Sequence, residues 1–186
     1  ALVDFDGWSY FYKFSFLRPL GEGSLWQLPR KFGVDVTFSP LSYYLSNLTI
    51  LFLLSLFLYR FSKTQKLSLF AFITVFAFLF FGKAYSMQYV IWLAPLAVMT
   101  ISQISSRKSR RLAFILYALW QTTEVVISIA YYGNLQWLAN RELGISNSAY
   151  AMLALLRYVC ASLFAVFLCK KISYQIKKKE KSILKN

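Results

Sequence analysis

Five blocks of apolar residues, several of them near the length that crosses a membrane, dominate this sequence. They run over residues 41–59, 67–81, 89–104, 112–132 and 149–169. A hydrocarbon core about 30 Å thick takes roughly 20 helical residues. Inside lipid a segment must satisfy its own backbone hydrogen bonds, and an apolar block does so as a helix. The expected fold is therefore all-α: a multi-pass transmembrane helical protein of about five spans, preceded by an aromatic-rich segment over 1–40. Composition agrees, with 58 % of residues hydrophobic and 19 % aromatic.

The loops carry the orientation. "RFSKTQK" holds Arg60, Lys63 and Lys66. "SSRKSRR" holds Arg107, Lys108, Arg110 and Arg111, and seven lysines lie beyond residue 169. With five spans these stretches share one face, and an excess of Lys and Arg marks the cytoplasmic face. Residues 170–186 then form a cytoplasmic basic tail of a cell-membrane protein. Residues 1–40, the turn around Lys83 and residues 133–148 fall on the extracytoplasmic side. In residues 1–40 the cations Lys13, Arg18, Arg30 and Lys31 are balanced by Asp4, Asp6, Glu22 and Asp35.

This distribution accounts for the net charge of +14. A nucleic-acid partner is not expected, because no aromatics interleave with the basic runs to stack on bases. The absence of histidine excludes a His base or His ligand. Cys160 and Cys169 fit no metal or redox spacing and read as small buried apolar residues. Asp4 and Asp6 could offer oxygen ligands to a divalent ion, a pattern common in loops. No metal site, no cofactor and no catalytic residue is assigned.

Polar residues among the apolar blocks are the candidates for function. The stretch "FGKAYSMQYVIWLAPLAV", residues 81–98, places Lys83, Tyr85, Ser86, Gln88 and Tyr89 between two spans. The flanking blocks are short: 15 helical residues cover only about 23 Å. The turn is then either a plain water-facing loop or a corner sunk below the outer boundary, where polar backbone must be buried or line a wet cavity. Upstream, "WSYFYKFSFL" reads as an interfacial aromatic belt. A turn over residues 19–23 follows, then a short interfacial helix with Leu25, Trp26 and Leu28, ending before Pro29.

Two ionisable residues lie inside spans, where charge is costly. Glu124 is eight residues from the outer end of the fourth block, and Arg157 eight from that of the fifth. Both sit about 12 Å deep on consecutive helices. An intramembrane ion pair Glu124–Arg157 is the expected arrangement; an Arg157 that faces a cavity and holds a lipid phosphate is the other.

Two motifs resemble those of integral-membrane glycosyltransferases of the GT-C type. The nearest likeness is to family 87 polyprenyl-phosphate-mannose-dependent mannosyltransferases and glycosylphosphatidylinositol mannosyltransferases. One motif is Lys83, Ser86, Gln88, Tyr89, Trp92, Pro95 and Leu96; the other is Arg18, Glu22, Ser24, Leu25 and Trp26. A histidine that often precedes that arginine in the family is absent here. The resemblance covers about residues 1–105. It implies transfer of a sugar, mannose by analogy, from a polyprenyl-phosphate donor on the extracytoplasmic side. It assigns substrate binding to Arg18, Glu22, Trp26, Lys83, Ser86, Gln88 and Tyr89. It also implies that this chain is the C-terminal portion of such an enzyme, inactive alone, whose catalytic aspartate lies in a missing N-terminal part. The partners implied are the polyprenyl-phosphate-sugar donor, membrane lipid and that missing part. The rival reading is a non-catalytic membrane protein, either a lipid-linked sugar translocator or a structural subunit.

Overall fold

Residues with helical propensity on either side of an apolar block extend the helix beyond it, and this decides the architecture. A computed structural model of the chain describes residues 9–10, 21, 23–34, 47–56, 67–82 and 90–183. Every regular element among them is helical. A 3-10 turn over Leu25–Gln27 runs into α1, Leu28–Lys31. Pro29 does not stop this helix, as the sequence predicts it should. It occupies the first turn, where an N–H has no intrahelical acceptor and a fixed φ suits the helix.

The apolar helices follow. α2 is Asn47–Leu56, and residues 41–46 and 57–59 of the first block lie outside the described residues. α3, Leu67–Phe81, coincides with the second block. α4, Val90–Ser102, falls within the third and carries Pro95 in its interior. α5, Arg107–Ala139, and α6, Asn147–Ile183, are much longer than the blocks inside them. Hydropathy marks only their apolar middles. The flanking Arg, Lys, Ser and Gln residues are compatible with helix and continue the backbone ladder. α5 and α6 are long and apolar enough to cross a membrane; the described α2, α3 and α4 are apolar but shorter.

α6 is the central element. Ala151, Ala154, Ala161, Phe164, Ala165 and Leu168 form a fully or almost fully buried stripe at helical spacing. The alanines let neighbouring backbones come close. α5 packs antiparallel along this stripe through Trp120, Ile127 and Ala130. α3 and α4 form a second pair, tied at one end by Gln103 Nε2 donating to Ser68 Oγ at 2.7 Å. Phe72, Phe76 and Phe80 of α3 project into an aromatic nest with Trp120, Tyr158 and Phe164. Phe76 stacks on Phe80 with ring centroids 4.1 Å apart, and Phe80 meets Tyr158 edge-on at 5.1 Å. Such pairs add roughly 0.5–1.5 kcal/mol each beyond burial.

The outward faces are apolar as well. Ile115, Leu119, Val126 and Ile129 of α5 and Met152, Val159 and Leu163 of α6 are exposed. A helix that is apolar around its whole circumference needs an apolar surrounding on both sides.

Candidate functional site

At one end of the bundle the N-terminal segment reaches into the α5–α6 hairpin, and the contact is made by polar groups. Helical spacing on α6 puts Arg157 and Tyr158 on the buried stripe. Both converge on one backbone carbonyl. Arg157 Nη2 donates to Gly23 O at 2.6 Å, and Tyr158 OH donates to the same oxygen at 2.9 Å. The guanidinium carbon lies 4.5 Å from the Tyr158 ring centroid, so the cation also rests on an aromatic face. Arg157 is completely buried.

α5 supplies the opposing charge. Glu124 is 6 % exposed, and its Oε1 lies 4.0 Å from Arg157 Nε. That oxygen also accepts a hydrogen bond from Trp120 Nε1 at 2.8 Å, one turn earlier on the same helix. The carboxylate is therefore oriented from its own helix and meets the guanidinium as an ion pair without a hydrogen bond. Thr123 and Ser128, beside Glu124, donate to backbone carbonyls of α5 and remain within that helix.

The turn after Gly23 carries Ser24, Leu25 and Trp26 of the upstream motif. Ser24 is fully buried, and among the described residues its hydroxyl meets no hydrogen-bond partner. Trp26 Nε1 donates to the carbonyl of Phe81, the last residue of α3, at 2.8 Å. Lys83 follows two residues later in the sequence. The segment of residues 23–26 thus bridges the end of α3 and the Arg157–Glu124 centre.

A second polar cluster lies at the mouth of the hairpin. Lys31 of α1 is buried and donates to Asn134 Oδ1 at 2.9 Å, with its ammonium 5.4 Å from the Tyr150 ring centroid. Asn134 Nδ2 donates to Ile145 O and to Asn147 Oδ1, each at 3.0 Å. Gln27, Arg30, Lys31, Leu138 and Asn147 line a small cleft of about 220 Å³ beside it.

Of the residues assigned to substrate binding, Trp26 is placed as above. Arg18, Glu22, Lys83, Ser86, Gln88 and Tyr89 lie outside the described residues, as do Asp4 and Asp6. Trp92, in the second motif, is exposed on α4. Sequence reasoning missed Tyr158, Gly23, Lys31 and Asn134. Tyr158 could have been found, since it neighbours Arg157 on the same helical stripe. Trp120 could also have been found, one turn from Glu124. Nothing in the sequence couples Lys31 to Asn134. Among the described residues no group of three or more acids or cysteines gathers as a metal site. Comparison with protein-family models, curated proteins and solved structures yields no match to this chain.

Proposed function

We propose that the chain is part of a membrane glycosyltransferase that moves a sugar, mannose by analogy, from a polyprenyl-phosphate donor on the extracytoplasmic side. The observation that carries this reading is the hydrogen bond from Trp26 Nε1 to the Phe81 carbonyl. It ties Trp26 of one resembling motif to the last residue of α3, two positions before Lys83 in the sequence, although the bonded residues stand 55 apart in the chain. A donor of this kind presents a phosphodiester at the membrane boundary. Its departure as a phosphate is favoured by fixed cations and hydrogen-bond donors in a poorly hydrated place. Lys83 and Arg18 would supply charge. Ser86, Gln88 and Tyr89 would supply hydrogen bonds to phosphate or sugar hydroxyls. Glu22 would hold a sugar hydroxyl, and Trp26 would brace the turn.

The reading includes five spans, α2 to α6, with the cationic ends of α5 and α6 in the cytoplasm. The exposed apolar faces of α5 and α6 support it, as does the meeting of the start of α5 with Lys171 and Lys178 of α6 at one end of their hairpin.

Sugar transfer in membranes that contain the complete protein tests the proposal. Radiolabelled polyprenyl-phosphate-mannose should lose its sugar to an acceptor. Lys83→Ala and Gln88→Ala should abolish transfer and leave membrane insertion intact. Wild-type transfer rates in both variants, or no transfer by the complete protein, would overturn the reading. A translocator would instead move the intact lipid-linked sugar across vesicle membranes with its glycosidic bond unbroken.

A further inference from the structure

We infer that the opposite, basic end of the bundle holds the phosphate of an anionic lipid headgroup, in a groove between the start of α5 and the last turns of α6. The groove has a volume of about 530 Å³, and its walls include Ser105, Ser106, Ser109, Lys171, Tyr174 and Lys178. Lys171 and Lys178 are two helical turns apart, so both line one side. The serines line the other. Among the described residues no carboxylate lines it. Hydroxyl and ammonium donors without an acid suit a phosphate.

The groove is held in shape from both sides. The Gln175 side-chain amide clamps the loop before α5 onto α6. With the amide assigned in the orientation that satisfies both neighbours, its nitrogen donates to the Gln103 carbonyl at 3.2 Å and its oxygen accepts from Ser105 N–H at 2.8 Å. Ser106 caps α5 through a long hydrogen bond of 3.4 Å from Ser109 N–H. Lys171 Nζ stands 5.4 Å from the Phe167 ring centroid.

The charge arrangement calls for an anion. The first turn of a helix is the positive end of its dipole, where acids are favoured. α5 has no acid in its first turn. It begins instead with Arg107, Lys108, Arg110 and Arg111. Lys171 and Lys178 across the groove add to that excess, and the cations repel one another unless an anion sits among them.

The surroundings favour a lipid over a free ion. Immediately beyond the cations the exposed surface of α5 turns apolar at Leu112, Phe114 and Ile115. A phosphate seated in the groove would let acyl chains run along that surface. Basic pockets between membrane helices hold anionic headgroups in this manner. The inference rests on the membrane reading above and not on sugar transfer.

The test uses the full chain. Retention in the membrane pellet after carbonate extraction checks the membrane reading separately. The protein is then purified in detergent and titrated with phosphatidylglycerol, phosphatidylcholine or inorganic phosphate, with bound species read by native mass spectrometry. Phosphatidylglycerol should bind on the order of tenfold more tightly than phosphatidylcholine. Lys171→Gln with Lys178→Gln should erase that preference, and Ser105→Ala with Ser109→Ala should weaken it. Lys171→Arg with Lys178→Arg should keep it. Arg30→Gln with Arg141→Gln removes the same charge at the other end of the bundle and should also keep it. Equal retention of the two lipids overturns the inference. So does an equal loss in the groove and control variants, or complete displacement of the lipid by millimolar inorganic phosphate.

Discussion

Arg157 and Glu124 meet across the α5–α6 hairpin with Nε and Oε1 4.0 Å apart, each ten residues inward from an asparagine at the hairpin's mouth. Those asparagines, Asn147 and Asn134, bond each other at 3.0 Å. The equal spacing is why the two charges come level. Two antiparallel helices of the same rise, pinned at one point, keep opposite residues together at equal distance from the pin.

The two partners of this pair should not contribute independently. Arg157→Met also takes away the Gly23 contact and should lose about 3–5 kcal/mol of stability. Glu124→Gln keeps an acceptor for the Trp120 indole and should lose less, about 1–3 kcal/mol. The double variant should lose less than the sum of the two. Denaturant unfolding of the detergent-solubilised protein, arranged as a double-mutant cycle, measures the coupling. Strict additivity would show that the two charges act independently.

The turn between α5 and α6 depends on a single glycine. Gly144 has a φ of +85°, and a Cβ there would lie 2.2 Å from the Gly133 carbonyl oxygen. Gly33 has a similar φ of +83° with open space around it. Gly33→Ala should therefore cost only the left-handed penalty, about 1–2 kcal/mol. Gly144→Ala adds a backbone clash and should cost distinctly more. The difference between their melting temperatures is the readout, and equal losses would contradict the placement of the loop.

Small residues on α6 should resist enlargement. Ala154 and Ala161 are fully buried, whereas Leu163 is 54 % exposed. Ala161→Leu overfills a closed contact and should cost about 1–3 kcal/mol. Leu163→Ala removes bulk from an outward face and should leave the packing of α5 on α6 intact. Unfolding of the two variants side by side distinguishes an inner face from an outer one.

Trp26 should act as a brace. Trp26→Phe keeps an aromatic ring and removes the indole N–H that reaches the Phe81 carbonyl. The expected loss is about 1 kcal/mol of stability, with faster amide hydrogen exchange at the end of α3. Unchanged exchange there would mean that the bond does not tie the two segments.

Hydropathy alone located α3 with its observed bounds, enclosed α4, and marked the apolar middles of α5 and α6. Period and block length are local properties, and a local signal suffices to read them. The ends of α5 and α6 were hidden because charged and polar residues are permitted both in a helix and in a loop. Pro29 misled for a related reason. Proline breaks a helix interior, but only the actual start of α1 shows that residue 29 belongs to the first turn.

What residue order determined by itself is an all-helical chain whose helices are apolar on every side and whose cations gather in a few stretches. It also marked Glu124 and Arg157 as the charges that had to be accommodated among those helices. Tertiary structure alone decided that the Gly23 carbonyl, 134 residues from Arg157, would share that accommodation, and that Lys31 would find Asn134. Periodicity along one helix specifies which side chains share a face. Only the packing of one helix on another specifies which distant backbone oxygen that face will meet.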